Sequence, residues 1–501
     1  MLNKKTAQTK REEVAPGIKK SRWKASGLST QSDLYQKHVK VMPKRVKGIY
    51  RRIKWLILFI LLGIYYLIPF IRWDRGPQAP NQAVLVDFAH SRFYFFFIKI
   101  WPQEVYFITG LLILAAMGLF LVTALFGRIW CGYTCPQTVW TDLFVAVERF
   151  FEGDRNARIK LERSPWTKNN KILKKIGKHI TWILIAMATG GAWILYFHDA
   201  PTIVKNLFTG HAPVTSYVFL GIMTFTTYAL AGFMREQVCT YMCPWPRIQA
   251  SMIDEESLNV TYRYDRGEPR GPHKKGASWE GRGDCIDCHQ CIAVCPTGID
   301  IRDGAQLECI GCALCIDACN GIMEKINRPK GLIAYDTDVN IQRRLKGEEP
   351  RFNLVRARTI IYAMIVFVIS SVILYGLANR TTIEMNIMRD RVPNFVRLSD
   401  GSIRNGYTVK ILNKSSEDKN FIITAEDIIN PNINIIGVKP TNGQYILHVP
   451  ADKTLGYKLY LSLEDVKDHK NREVFNFLIK DTDTGHTAHT ETMFITGTGK
   501  E

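Results

Sequence analysis

Apolar residues along this chain gather into five runs, at 55–71, 105–126, 180–197, 213–234 and 359–378. A hydrocarbon layer about 30 Å thick is crossed by about 20 residues of helix, so each run is predicted to span a bilayer. Trp55 and Trp73 bracket the first run, where interfacial aromatics belong. A further apolar stretch, 88–100, is too short and too punctuated to span. It is expected to lie along the outer interface or to pack on the bundle.

Beyond the fifth run the pattern changes to a period of two. Strand-like segments recur at 407–412, 421–424, 433–438, 445–449, 457–463, 475–479 and 493–495. Turn residues separate them, among them Asp400-Gly401, Asn405-Gly406, Asn430-Pro431 and Asn442-Gly443. Seven short strands in this order predict an all-β, immunoglobulin-like sandwich.

Charge adds an orientation. Residues 1–54 hold 16 Lys+Arg against 3 acids, and 127–179 hold 11 against 5, whereas 379–501 balance at 16 and 16. The basic excess flanks apolar runs, so the positive-inside rule explains it and a nucleic-acid partner is excluded. The expected topology is five crossings, with N-terminus and basic loops in the cytoplasm and the C-terminal domain outside. More than fifty polar residues precede Trp55, which does not fit a cleavable signal peptide.

All 12 cysteines fall within 131–319, so a disulfide framework in the outward domain is not expected. Eight form two runs: Cys285, Cys288, Cys291 and Cys295 before Pro296, then Cys309, Cys312, Cys315 and Cys319. This is bacterial two-cluster ferredoxin spacing, in which the fourth cysteine of each run reaches the other cluster. Cys285, Cys288, Cys291 and Cys319 are therefore expected on one [4Fe-4S] cluster, and Cys309, Cys312, Cys315 and Cys295 on a second. Asn320 stands where the second run would have proline.

The remaining four make a second repeat, Cys131-x3-Cys135-Pro136 and Cys239-x3-Cys243-Pro244, after the second and fourth runs. Offsets of four predict both sulfurs of a pair on one helix face, with proline ending or kinking the helix. Four such thiols suit Cu(I), zinc or an iron–sulfur centre. Redox dithiols or simple packing cysteines are the other readings.

The order of these motifs on a membrane bundle is shared by the NapH/NosR-type membrane ferredoxins and the CcoG/FixG/RdxA group. The stretch from Glu148 to Arg158, ERFFEGDRNAR, resembles the latter, as do Arg389-Asp390-Arg391-Val392-Pro393, Val396-Arg397-Leu398-Ser399-Asp400-Gly401 and Ile403-Arg404-Asn405-Gly406-Tyr407. The chain is thus identified as a member of the CcoG/FixG/RdxA family, accessory to cbb-type cytochrome c oxidase, over about residues 35–500. The resemblance implies a cupric reductase: electrons pass from a cytoplasmic donor through two clusters to copper near Cys131, Cys135, Cys239 and Cys243. It further implies oxidase assembly factors and copper transporters or chaperones as partners, with a homodimer also open. A quinol-linked conduit of the NapH/NosR type and a redox-sensing scaffold without turnover are the alternatives.

Histidines add little to that picture. His179 and His198 stand at opposite ends of the third run, about 28 Å apart at 1.5 Å per residue, so they cannot share a haem. His90, His198 and His211, in or beside outward connections, are read as interfacial anchors, with a quinol or copper role as the alternative. His486, His489 and Met493 are read as solvated strand-end residues rather than a copper site. Arg128, Arg235 and Glu236 are read as marking the membrane face. The fold class that results is an α-helical membrane bundle of five transmembrane helices with an inserted α+β 2[4Fe-4S] ferredoxin segment and a C-terminal sandwich. Its parts are 1–54, a basic cytoplasmic segment; 55–234, four spanning helices; 235–358, the ferredoxin domain; 359–378, the fifth helix; and 379–501, a periplasmic domain of the inner membrane.

Overall fold

A computed structural model of the protein describes residues 40–76, 79–166, 169–274, 276, 278–415, 417–441, 443–464 and 471–497. Most of the basic N-terminal segment, and Asn442 of one expected turn, lie outside the described residues. By contact the chain forms two units: residues up to Ile71 with Gln82–Ile373, and Arg72–Asn81 with Leu374 onward.

Among the described residues five helices are long and apolar enough to cross a membrane: Ile49–Phe70, Pro102–Phe126, Asn169–Leu195, Val214–Met234 and Ala357–Ala378. They coincide with the five apolar runs, with two changes. The third begins eleven residues before its apolar run, because Lys171, Lys175 and Lys178 fall on one helical face and are buried. Their ammonium groups find carboxylate and carbonyl partners there, which makes helix tolerable at lysine-rich positions. The fourth ends in a π-helical turn, Tyr228–Met234. The apolar stretch at 88–100 forms strands, not a helix. β1 (Val84–Asp87), β2 (Arg92–Phe95) and β3 (Ile98–Ile100) make a small antiparallel sheet. It packs on the end of the third spanning helix, where the Val86 N–H donates to the Tyr196 carbonyl at 2.8 Å.

The second unit is a two-sheet sandwich. β6 (Ile383–Arg389), β8 (Ile403–Asn413), β12 (Lys453–Leu463) and β10 (Asn432–Ile435) form one sheet, and β7 (Val396–Arg397) pairs with β8. The other runs β11 (Ile446–Val449), β9 (Lys419–Glu426), β13 (Arg472–Asp481), β14 (Thr487–Ile495). Tyr407, Phe421, Phe475, Phe477 and Phe494 meet between the sheets with no exposed surface. The Tyr407 hydroxyl donates to the Met493 carbonyl at 2.9 Å, which satisfies the polar end of a buried ring.

Among the described residues nine strands replace the seven expected, the two additions being β6 and β7. β7 has two residues, too few for a periodic signal. Most of β14 is invisible to periodicity because an edge strand with one wet face carries Thr487, His489 and Glu491 in alternation.

Candidate metal centres and membrane-end thiols

β4 (Asn259–Tyr262) and β5 (Ile333–Asp336) pair antiparallel and support two helices, Gln290–Val294 and Leu314–Lys325, that begin inside the cysteine runs. The duplication in sequence is a duplication in backbone. Asp287 and His289 flank Cys288 with φ of 55° and 54°; Gly311 and Ala313 flank Cys312 with φ of 68° and 58°. Two left-handed residues curl each loop around, so its first three cysteines line one volume. Pro296 then stops the first helix, since the residue before proline is driven to extended backbone. Asn320 imposes no such stop: the second helix runs on to Lys325, and the Asn320 carboxamide oxygen accepts from the Gly331 N–H at 2.8 Å.

Two cavities result. One is lined by Cys285, Cys288, Cys291 and Cys319 with Ile286, Leu332 and Ile333. The other is lined by Cys295, Cys309, Cys312 and Cys315, with Cys291 and Ile301 also on its wall. Each expected quartet thus shares one cavity, and Cys295 and Cys319 each face the cavity of the opposite run. Burial pushes Cys309 and Cys319 up to about 12 and Cys291 to about 11. A thiolate in such walls needs a cationic partner, and four thiols around an apolar space are the donor set of a [4Fe-4S] cluster. Cys288 is the exposed member, whereas Cys312 is buried.

The CxxxCP segments depart from the sequence expectation. Neither pair lies on one regular helix face. Cys131 sits in the short helix Ile129–Tyr133, and Cys135 is the N-cap of the next helix, Pro136–Glu152. Cys239 lies in the π-helical turn Val238–Met242, which Cys243 closes. Proline is the reason in both: it sets Cys135 and Cys243 at ψ of 128° and 123°, which ends the preceding turn as expected, and it stands at the start of the following helix. In each turn the second cysteine's N–H reaches five residues back, Cys135 to Trp130 at 3.0 Å and Cys243 to Val238 at 2.8 Å.

Cys131 and Cys239, like Cys315, pack against the apolar cluster that Val294, Ile310, Cys312 and Leu314 form. Contact is this close because residue 132 is glycine: a Cβ there would sit 2.9 Å from the Ile310 carbonyl oxygen. Burial, then the neighbouring Cys135, pushes Cys131 up to about 12 against the pull of Arg128; burial, then Cys135 and Cys243, pushes Cys239 to about 11. Among the described residues no three His, Cys, Asp or Glu side chains converge on a single metal ion.

Four residues stand in contacts that the sequence reading did not give them. Gln249, fully buried, accepts from the Cys131 thiol at 3.1 Å and donates to Thr123 at 3.2 Å. Asp317, between two cysteines of the second run, accepts from the Tyr50 and Arg51 N–H groups at 3.3 and 2.8 Å, tying the first spanning helix to the cysteine-bearing segment. Glu148 receives Arg158, Arg235 at 2.9 Å and Lys178 at 3.5 Å, so Arg235 does more than mark a membrane face. Arg128 binds backbone carbonyls on both sides of the thiols. Glu148 had a signal as part of the ERFFEGDRNAR stretch, and Arg128 had been read only as marking the membrane face.

The histidines stay apart. His90 pairs with Asp87 at 2.7 Å, His198 meets Ser216 at 3.4 Å, and His211 is exposed. His179 accepts or donates at 3.0 Å with the Tyr228 hydroxyl. His486, His489 and Met493 are exposed, on or beside β14.

The family described as "4Fe-4S dicluster domain" matches residues 234–338, "4Fe-4S binding domain" matches 108–152, and "IG-like fold at C-terminal of FixG" matches 373–497. The chain is 48% identical to nitrogen fixation protein FixG of Rhizobium meliloti over 89% of this chain and 91% of that protein. It is 47% identical to protein RdxB of Cereibacter sphaeroides, over 92% and 97%. Protein RdxA of the same organism is 46% identical, over 90% and 95%. A crystal structure of a FixG-related protein from Vibrio parahaemolyticus aligns with 23% of this chain and 96% of its own at 19% identity and a TM-score of 0.20. With two [4Fe-4S] family matches, five apolar helices and this degree of identity along most of its length, the chain belongs to the FixG/RdxA/RdxB family.

Proposed function

We propose that this chain is a membrane-bound iron–sulfur electron-transfer protein that reduces Cu(II) to Cu(I) during assembly of a cbb-type cytochrome c oxidase. The copper substrate and the oxidase come from the family resemblance. The route of transfer is supported by one observation: Cys131 and Cys239 pack on the same apolar cluster as Cys312 and Cys315. In this reading Cys285, Cys288, Cys291 and Cys319 hold one [4Fe-4S] cluster, and Cys295, Cys309, Cys312 and Cys315 hold the other. When bound, the clusters supply reversible one-electron storage.

The chain's own residues do the rest. Exposed Cys288 gives a cytoplasmic donor access to the first quartet. The contact between Cys312 and the turn at Gly132 keeps the second quartet beside the membrane-end thiols. Cys131, Cys135, Cys239 and Cys243 receive Cu(II), and one electron leaves Cu(I), the ion that soft thiolates favour. Basic residues at 1–54 and 127–179 hold this face in the cytoplasm of the inner membrane, which leaves the sandwich, the docking domain for oxidase assembly factors and copper carriers, in the periplasm.

Serine at all four CxxxCP cysteines is expected to leave eight irons per chain and abolish Cu(I) formation. The assay mixes anaerobically reduced protein with one equivalent of Cu(II), following cluster EPR and a Cu(I) chelator together. Full activity in that variant rejects the thiol assignment. Clusters that stay reduced beside Cu(II) in the unaltered protein reject the reaction itself.

A further inference from the structure

Arg128 is buried, two residues past the end of the second spanning helix and three before Cys131. Its guanidinium joins three segments distant in sequence. Nη1 donates to the Leu307 carbonyl and, at 3.1 Å, to that of Cys309; Nη2 donates to the Pro246 carbonyl at 2.6 Å. Its own carbonyl lies against residue 311, where a Cβ would approach to 3.1 Å and where φ is +68°, so glycine is required twice over. One side chain therefore clasps the first CxxxCP turn, the helix after the second, and the loop that opens the second cysteine run.

The charge of Arg128 is handled differently from that of cations near the first quartet. Arg302, on the wall of the first cavity, meets Asp300 at 2.6 Å and also Asp287. Arg266 and Arg328 both meet Asp284. Those positive charges are cancelled locally by carboxylates. The hydrogen bonds of Arg128 go to carbonyl oxygens, which orient a cation without neutralising it. Glu308 is the carboxylate that acts on it electrostatically, alongside the thiols of Cys309, Cys131 and Cys239.

We propose that Arg128 is a positioning residue whose buried charge raises the reduction potential of the centre held by Cys295, Cys309, Cys312 and Cys315 above that of the centre held by Cys285, Cys288, Cys291 and Cys319. An electron entering at the Cys288 face then comes to rest beside the membrane-end thiols. Adding an electron makes the centre more negative, and a fixed cation in a weakly polarisable surrounding favours that state. The inference rests on the cluster assignment of the preceding section.

The test is an anaerobic redox titration of the full-length protein in detergent, read by EPR, with iron counted on the same samples. In Arg128→Gln the higher of two midpoint potentials is expected to fall by about 59 mV, a tenfold change in a one-electron equilibrium. The lower potential should stay in place. Arg128→Lys, which keeps charge but not the three-way clasp, should retain most of the higher potential. Glu308→Gln should move the same potential upward.

Eight irons with both potentials unmoved in Arg128→Gln overturn the inference, as does a lysine variant that falls as far as the glutamine one. If Arg128→Gln loses iron, Glu308→Gln decides: no upward shift, or a shift of the lower potential instead, overturns it. Unaltered protein with far fewer than eight irons, or without two one-electron couples, instead overturns the cluster assignment, and this inference with it.

Discussion

The two units of this protein are held together by opposite means. Between the sheets of the sandwich, Tyr407, Phe421, Phe475, Phe477 and Phe494 exclude water and make ring contacts such as Phe475 to Phe477 at 4.9 Å. Polar groups are buried in this unit too, among them the ion pair of Lys419 with Asp481 at 2.7 Å. Around the spanning helices the inversion is plain. Leu112, Phe225 and Phe367 on the spanning helices are exposed, while Glu148, Arg158, Lys178, Arg235 and Gln249, at or beyond the ends of the apolar runs, are buried. The physical reason is the solvent. In water, apolar burial drives packing; in lipid, an apolar side chain gains little by leaving the tails for another helix, so hydrogen bonds and ion pairs carry specificity. Trp182 shows the two combined: its N–H donates to the Phe144 carbonyl at 3.0 Å, and Lys178 and Arg235 lie over its ring at 4.7 and 5.5 Å.

That contrast can be broken most severely at Glu148. Glu148→Ala leaves Arg158, Arg235 and Lys178 buried without their shared carboxylate, a loss of about 3–5 kcal/mol by the usual cost of orphaning a buried ion. Thermal unfolding in detergent should show the helical signal melting earlier, with the strands of the sandwich unaffected. An unchanged helical transition rejects a structural role for the charge web.

A smaller effect is expected where the sandwich itself uses a buried ion pair. Burial works against ionisation of Asp481, but Lys419, Thr484 and the Asp483 N–H outweigh it and bring its carboxyl down to about 2. A carboxylate depressed on folding stabilises above its ordinary value near 4 and loses that contribution as pH falls toward 2. Asp481→Asn should remove about 1.5–3 kcal/mol at neutral pH, the range for a hydrogen bond to a charged group. It should also flatten the stability curve between about pH 4 and pH 2. Hydrogen exchange of β9 and β13 in the full chain, corrected for intrinsic rates, reads both; a curve as steep as the parent's rejects the assignment.

The smallest change sharpens the comparison rather than breaking it. Ile479→Val removes one methylene from the sandwich interior, where Ile479 has no exposed surface, and should cost about 0.5–1.5 kcal/mol. The same substitution at Ile361, which faces outward from the fifth spanning helix and is 55% exposed, should leave the melting of the protein in detergent unchanged. A comparable loss at both sites removes the distinction drawn between the two units.

Legibility in the sequence followed the length scale of each interaction. The spanning helices and the core strands repeat their signal every few residues, so 105–126 and 457–463 could be read directly. The cysteine runs were legible for the same reason: the backbone curls at Asp287 and His289, and again at Gly311 and Ala313, are local. The CxxxCP pairs misled because the four-residue offset was read as regular helix, while the following proline governs the backbone of Cys135 and Cys243. Gln249 gave no signal because its meaning lies in Cys131 and Thr123, more than a hundred residues away.

By itself, then, the sequence determined the five apolar helices, the duplicated cysteine loops, the sandwich and the family, since each is written in residues close along the chain. Tertiary structure alone decided that Cys131 and Cys239 share an apolar cluster with Cys312 and Cys315, that Asp317 caps the first spanning helix, and that Arg128 joins three segments. Those contacts depend on chain closure over long separations, where one residue at each end carries the interaction and nothing between them repeats it.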